Sequence, residues 1–216
     1  DVSAAKDALD DRTKIIFLAS PNNPTGNLTP REHVGELLDT GRIVVVDEAY
    51  YEFCDSTVAD MVSDHENLVV LRTLSKWAGL AGLRIGYGIM NEELVQHVID
   101  IKQPYNISVA AEAALLASLE DAPLLLDNVG KIVDERERMI GLLEEIGGVT
   151  PWPSSGNFVL CRLESAEKAK ETFEALAQRG IVVRMFSSER LQDFFRVAVG
   201  TPEETDKFVA ALREVI

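Results

Sequence analysis

Between residues 14 and 89 the sequence alternates short apolar runs with segments of helical character. That rhythm restricts the chain to an α/β fold built on a mainly parallel sheet. Residues 14–19, 43–47, 68–73 and 83–89 read as its strands. Thr29-Pro30-Arg31-Glu32 predicts a helix start, with a threonine cap, proline at the first position and glutamate at the third. Three of the strands hand over to polar residues: Ser20-Pro21-Asn22-Asn23-Pro24-Thr25-Gly26 after the first, Asp47 at the end of the second, and Arg72-Thr73-Leu74-Ser75-Lys76 at the end of the third. In open α/β sheets the carboxyl ends of the strands are where ligands bind.

The character changes further along. Residues 108–146 read as long helical stretches broken near Asp121-Ala122-Pro123, and Gly147-Gly148 stops them. Past Pro151-Trp152-Pro153 the pattern is strand (157–163), helix (165–178), strand (181–184), strand (194–199) and a final helix opened by the capping box Thr201-Pro202-Glu203-Glu204. The expected organisation is therefore a large α/β domain over 1–107, which the family resemblance described below implies to be partial, an inter-domain helical region over 108–148, and a small C-terminal α/β domain over 149–216.

The polar residues at the strand ends suggest one chemistry. A lysine at such a position, Lys76, suits a Schiff base where burial lowers its pKa. The hydroxyls of Thr73 and Ser75 before it and the fixed charge of Arg84 behind it suit a phosphate. A cofactor with both an aldehyde and a phosphate is pyridoxal 5'-phosphate. Its pyridine nitrogen needs an acid partner, for which Asp47 is the candidate, and its phenolic oxygen needs donors, which Asn23 and Tyr50 can supply. Each residue also has a plainer reading. Asp47 could cap the next helix, Asn23 could form a turn, and the hydroxyls could satisfy the backbone. Arg196, alone among Phe194, Phe195, Val197 and Val199, is costly to bury unless an anionic substrate group or a structural carboxylate pairs with it.

In order and spacing, Asn-Pro-Thr-Gly, Asp-x-x-Tyr, Ser-Lys and the following arginine resemble the signature of the fold-type I pyridoxal-phosphate aminotransferases. The strings SPNNPTG, VVVDEAYYEF, RTLSKWAGLAGLRIGYGI, IKQPYN and FFRVAVGTPEE look most like the histidinol-phosphate aminotransferase branch. The resemblance spans nearly the whole chain. It implies that Lys76, Asp47 and Tyr50 are catalytic, and that Asn23, Asp47, Tyr50, Thr73, Ser75, Lys76 and Arg84 hold the cofactor. It further implies that Arg196, Asn23 and Asn157 meet the substrate. Histidinol phosphate and glutamate or 2-oxoglutarate would be the substrates, and the assembly a homodimer. The chain, which opens at Asp1 without methionine, is expected to be the C-terminal portion of such an enzyme. Two enzymatic alternatives share the cofactor residues: an aromatic or broad-specificity aminotransferase, and a phosphothreonine decarboxylase. A catalytically silent dimerisation module is the alternative outside enzymes.

Bulk properties narrow the remaining classes. At 216 residues and 46% hydrophobic content the chain can bury a sizeable core. A formal net charge of -15 argues against nucleic-acid and anionic-membrane surfaces. Cys54 and Cys161 stand far apart with no C-x-x-C, so neither a disulfide framework nor a zinc site is indicated, which fits a reducing cytoplasm. His33, His65 and His97 lack ligand spacing, so no metal is expected. The charged run Asp134-Glu135-Arg136-Glu137-Arg138 reads as a solvated helix face.

Overall fold

A computed structural model describes residues 1–216. Its elements run α1 (Val2–Asp7), β1 (Ile15–Ala19), α2 (Arg31–Leu38), β2 (Ile43–Asp47), β3 (Leu68–Thr73), β4 (Gly86–Met90), α3 (Glu92–Ile101), α4 (Val109–Glu120) and α5 (Ala122–Glu144). They continue with β5 (Thr150–Pro151), β6 (Phe158–Arg162), α6 (Ala166–Gln178), β7 (Arg184–Met185), β8 (Phe194–Ala198) and α7 (Pro202–Val215). The chain divides into two compact units. The first holds Asp1–Asn22 and Leu28–Leu126; the second holds Asn23–Asn27 and Asp127–Ile216. The division falls within α5.

In the first unit the sheet order is β1-β2-β3-β4, with the first three strands parallel and β4 antiparallel to β3. The α/β, mainly parallel fold expected from the sequence is the one observed. Side chains alternate across a strand, so Val44, Val46, Leu68 and Val70 present one face, and α2 covers it with Val34, Leu37 and Leu38. A second buried group, Leu74, Ala78, Ile85 and Ala111, packs the segments beyond β3 against α4.

In the second unit the order is β5-β6-β8-β7, all antiparallel. Val159, Cys161, Phe195 and Val197 face Met139 and Leu143 of α5, Ala169 and Leu176 of α6, and Phe208, Val209 and Leu212 of α7. Thr201 and Glu204 close the capping box on α7 as expected, while Ser165 caps α6.

Four local expectations are corrected. The helix α2 starts at Arg31, and Pro30 in extended conformation takes the cap position without a side-chain bond; the Thr29 N–H instead donates to Ser20 Oγ (2.9 Å). β4 begins at Gly86 rather than at residue 83, because Ala81–Leu83 forms a 3-10 turn and Arg84 adopts left-handed φ +57. A Cβ on Gly86 would lie 2.8 Å from the Arg72 carbonyl oxygen, so only glycine lets β4 approach β3 there. Residues 181–183 do not pair: Ile181 and Val183 are apolar because they enter the core, which needs no ladder, and β7 is only two residues long.

The charged run on α5 is the fourth correction. Glu135 and Arg136 are each 7% exposed. Arg136 shares a helical stripe with Val129, Met139 and Leu143. Its guanidinium donates to the Gly156 carbonyl (3.0 Å) and to Glu137. Arg138 binds Glu135 through two nitrogens (2.9 and 2.8 Å) and reaches Asp206 and the Pro202 carbonyl. Sequence periodicity marks the stripe but says nothing of partners supplied by distant segments.

Candidate active site

Parallel pairing sets Ala19 beside Asp47 and Asp47 beside Leu71, so the first three strands end together. Two backbone bonds continue the ladder past that line: Ser20 N–H to the Asp47 carbonyl (3.0 Å) and Glu48 N–H to the Leu71 carbonyl (2.8 Å). Since β4 runs the opposite way, with Gly86 opposite Thr73, the loop carrying Arg84 reaches the same edge. Asp47, Tyr50, Thr73, Ser75, Lys76 and Arg84 thus all arise at the carboxyl edge of the β1–β3 strands.

Asp47 is exposed, and its carboxylate accepts the Ala49 N–H (3.0 Å); no lysine or arginine pairs with it. This is a local turn bond and not the helix cap of the plainer reading, because the 3-10 turn that follows, Tyr51–Phe53, has Tyr50 at its cap position without a side-chain bond. Tyr50 is buried. Lys76 is exposed, contrary to the burial expected of it, because it stands in the loop beyond β3 rather than on the strand. Its Nζ lies 5.4 Å from the centre of the Tyr50 ring. Thr73 Oγ1 is within 2.9 Å of Ser75 Oγ and 3.2 Å of the Ile85 carbonyl, and it accepts the Ser75 N–H (3.1 Å). Arg84 is exposed and holds the Ala81 carbonyl through Nη1 (2.8 Å). A left-handed backbone at a residue with a Cβ costs roughly 1–2 kcal/mol, and such outliers gather at ligand sites. An amine, an unpaired carboxylate, two hydroxyls and a guanidinium at one edge fit an aldehyde, a pyridine nitrogen and a phosphate.

The remaining sequence-derived residues belong to the second unit. Arg196 is half-buried on β8, with its guanidinium 4.9 Å from the centre of the Phe158 ring. Its Nη1 donates to Asn23 Oδ1, and its buried Nε has no partner. No carboxylate pairs with Arg196, so the structural salt bridge is not observed. The Asn157 carbonyl accepts the Val199 N–H (3.0 Å), which fixes that residue beside the end of β8.

Sequence reading passed over Arg184, which lies opposite Arg196 in the β7–β8 register and shares with it a cavity of about 500 Å³. Like charges opposed across a ladder are unfavourable unless an anion accompanies them. It also passed over Glu48 and Thr57, which bury against Arg72. Charged residues in VVVDE and VVLRT, set one step past register partners, were the available signal. Near them, burial pushes the Glu52 carboxyl up to about 6, against the opposing pull of Arg72.

Known proteins give this arrangement a context. The sequence profile of aminotransferase class I and II matches residues 1–212. Over its full length the chain is 48% identical to a histidinol-phosphate aminotransferase of Roseiflexus castenholzii, covering 59% of that protein. A crystal structure of the Sinorhizobium meliloti histidinol-phosphate aminotransferase in complex with pyridoxal-5'-phosphate superposes with TM-score 0.87 at 30% identity, over 100% of this chain and 61% of that one. The L-threonine-O-3-phosphate decarboxylase of Porphyromonas gingivalis gives 0.81 at 27%, over 96% of this chain and 66% of that one. The chain spans about three fifths of the length of the curated bacterial relatives it matches. With the profile covering nearly every residue and the strand-end polar groups gathered at one edge, the chain belongs to the class I and II aminotransferase family.

Proposed function

We propose that the protein carrying this chain is a pyridoxal-phosphate-dependent aminotransferase acting on histidinol phosphate, with 2-oxoglutarate and glutamate as the second pair. The observation that carries the reading is the 48% identity over the full chain to a histidinol-phosphate aminotransferase. The donor set at the carboxyl edge supports the cofactor. When bound, pyridoxal phosphate supplies an electron sink for the charge left as an α-proton departs. Lys76 Nζ would offer the amine for its aldehyde and would serve as the general base that moves the α-proton between the substrate Cα and the cofactor's C4′. Asp47 keeps a proton on the pyridine nitrogen. Tyr50 and Asn23 donate to the phenolic oxygen, while Thr73, Ser75 and Arg84 grip the phosphate. Arg196, with Arg184 as a second cation and Asn157 nearby in sequence to β6, binds the substrate phosphate and then the dicarboxylate's acid group in turn.

Three further readings accompany this one. A homodimer is supported by the apolar side chains left open on α3, α4 and their link, among them Ile101 (83% exposed) and Tyr105 (90%). A reducing cytoplasm suits Cys54 and Cys161, both free; no helix is long and apolar enough to cross a membrane. Decarboxylation of a phosphorylated amino acid is the second reaction to consider, on the 0.81 superposition with the phosphothreonine enzyme.

One preparation separates these outcomes. The natural protein, loaded with pyridoxal phosphate, is assayed with histidinol phosphate and 2-oxoglutarate for glutamate, and with threonine phosphate for carbon dioxide. Glutamate formation is expected. Borohydride reduction and peptide mapping should then put the pyridoxyl label on Lys76. Carbon dioxide release without glutamate would replace the reading by the decarboxylase, and a label on Lys102 or Lys131 would remove Lys76 from its role.

A further inference from the structure

Directly behind the carboxyl edge lies a buried polar cluster that the proposed chemistry does not use. Glu48 is 1% exposed, and its side chain and that of Arg72 form an ion pair at 2.9 Å. Every acceptor position on Glu48 is engaged from several directions. Oε1 accepts the Val58 N–H (2.7 Å) and the Thr57 hydroxyl (2.9 Å), while Oε2 lies 2.8 Å from that same hydroxyl. Arg72 reaches Oε2 through both Nε (3.1 Å) and Nη2 (2.9 Å), and Nη2 also meets Thr57 Oγ1 (2.8 Å). The other side of the guanidinium lies 3.6 Å from the centre of the Tyr51 ring. Burial, the largest single influence, lowers the Arg72 pKa; Glu48 and Tyr87 together outweigh it, and the pKa stands above its ordinary value.

Such a cluster is a poor device for stability. A buried ion pair recovers little beyond its desolvation cost, and apolar residues of similar volume serve as well or better. Its place in the chain suggests another use. Glu48 immediately follows Asp47 and precedes Tyr50 by two residues, and Arg72 immediately precedes Thr73. The backbone ladder between β2 and β3 ends at this level, its last bond being Glu48 N–H to Leu71. Beyond it, the loops carrying Asp47 to Tyr50 and Thr73 to Lys76 have no ladder between them. The Glu48–Thr57–Arg72 cluster takes over where backbone pairing stops.

We propose that Glu48 and Arg72 are positioning residues: together they fix the Asp47–Tyr50 segment against the Thr73–Lys76 segment, and so set the distance between the acid, the ring donor and the lysine. The bidentate fork of Arg72 defines an orientation as well as a charge. Relaxing it would let the two segments drift apart, and displacements near 1 Å cost on the order of a hundredfold in rate.

The inference rests on the aminotransferase reading, so the unaltered natural protein, loaded with pyridoxal phosphate, is measured first. Lack of turnover there overturns that reading and the positioning role with it. Given turnover, Glu48→Gln, Arg72→Lys and Leu38→Ala are compared for kcat, KM, melting temperature and the pH at which the bound cofactor's absorption changes. Leu38 lies in the α2 core, away from the edge, and serves as the purely destabilising control. Glu48→Gln should lower kcat by roughly tenfold to a hundredfold with KM within about twofold, and should shift the absorption midpoint. Arg72→Lys should do the same to a smaller degree, and it carries the test alone if Glu48→Gln does not fold. Leu38→Ala should lower the melting temperature yet leave kcat and the midpoint unchanged well below unfolding. If the edge variants lose stability while kcat and the midpoint stay at the unaltered values, the cluster is only structural and the inference is overturned.

Discussion

The carboxyl edge of the first sheet and the helix-covered sheet of the second unit treat polar side chains in opposite ways. At the edge, Asp47, Lys76 and Arg84 are exposed, and none of the three has an ion-pair partner. In the second unit, Glu135, Arg136 and Arg138 sit on a packed helix, and each is tied to a carboxylate, a carbonyl or a guanidinium from another segment or turn. Charges consumed by the fold can only stabilise it or break it. Charges left open at a sheet edge contribute little to folding and remain available to a ligand. Replacing residues from the two regions should therefore separate activity from stability.

The largest expected effect is at Lys76. Lys76→Ala in the natural protein should reduce turnover at least about a thousandfold, within the range for removing a positioned acid–base group. Its urea unfolding free energy should change by no more than about 0.5 kcal/mol, since the side chain is exposed. A drop in stability large enough to explain the lost turnover would end the contrast. The mirror-image variant is Phe195→Ala, which empties a fully buried ring site between α5, α6 and α7. Its cost should be about 3–5 kcal/mol by urea titration, while cofactor bound to the folded fraction keeps its absorption.

How far the sequence reveals each region follows from the same distinction. Strand ends at an open edge are set by local pattern: apolar runs predict β2 and β3 to the residue, and the polar residue after each run marks the edge. The capping box of α7 and the Ser165 cap of α6 are equally local. Contacts made across long sequence separations are not. Nothing near Arg136 announces the Gly156 carbonyl twenty residues away, and the run around it therefore reads as a solvated face. The same applies to Glu48 and Arg72, whose pairing depends on the β2–β3 register. Residues 83–85 mislead for a third reason: their apolar pattern suits a strand, but the left-handed backbone at Arg84 turns the chain before β4 begins.

The smallest expected effect lies where the two kinds of polar group meet, at Glu52. Its Oε2 is buried without a hydrogen-bond partner, and burial pushes its carboxyl from an ordinary value near 4.5 up to about 6. A carboxyl with a raised pKa binds its proton more tightly in the folded chain than in the unfolded one. Its contribution is therefore most favourable below about 4.5 and is lost as pH rises through about 6. The shift corresponds to roughly 2 kcal/mol at full weight, and partial solvent access reduces this to about 1 kcal/mol. Glu52→Gln, which stays neutral, should be more stable than the unaltered protein by about that amount at pH 7. The difference should shrink toward zero as pH falls to about 4.5. Urea titrations of both proteins between those limits measure it directly. A difference that does not vary with pH would mean that the Glu52 carboxylate is solvated after all, and that it belongs with the open charges of the edge rather than with the closed cluster behind it.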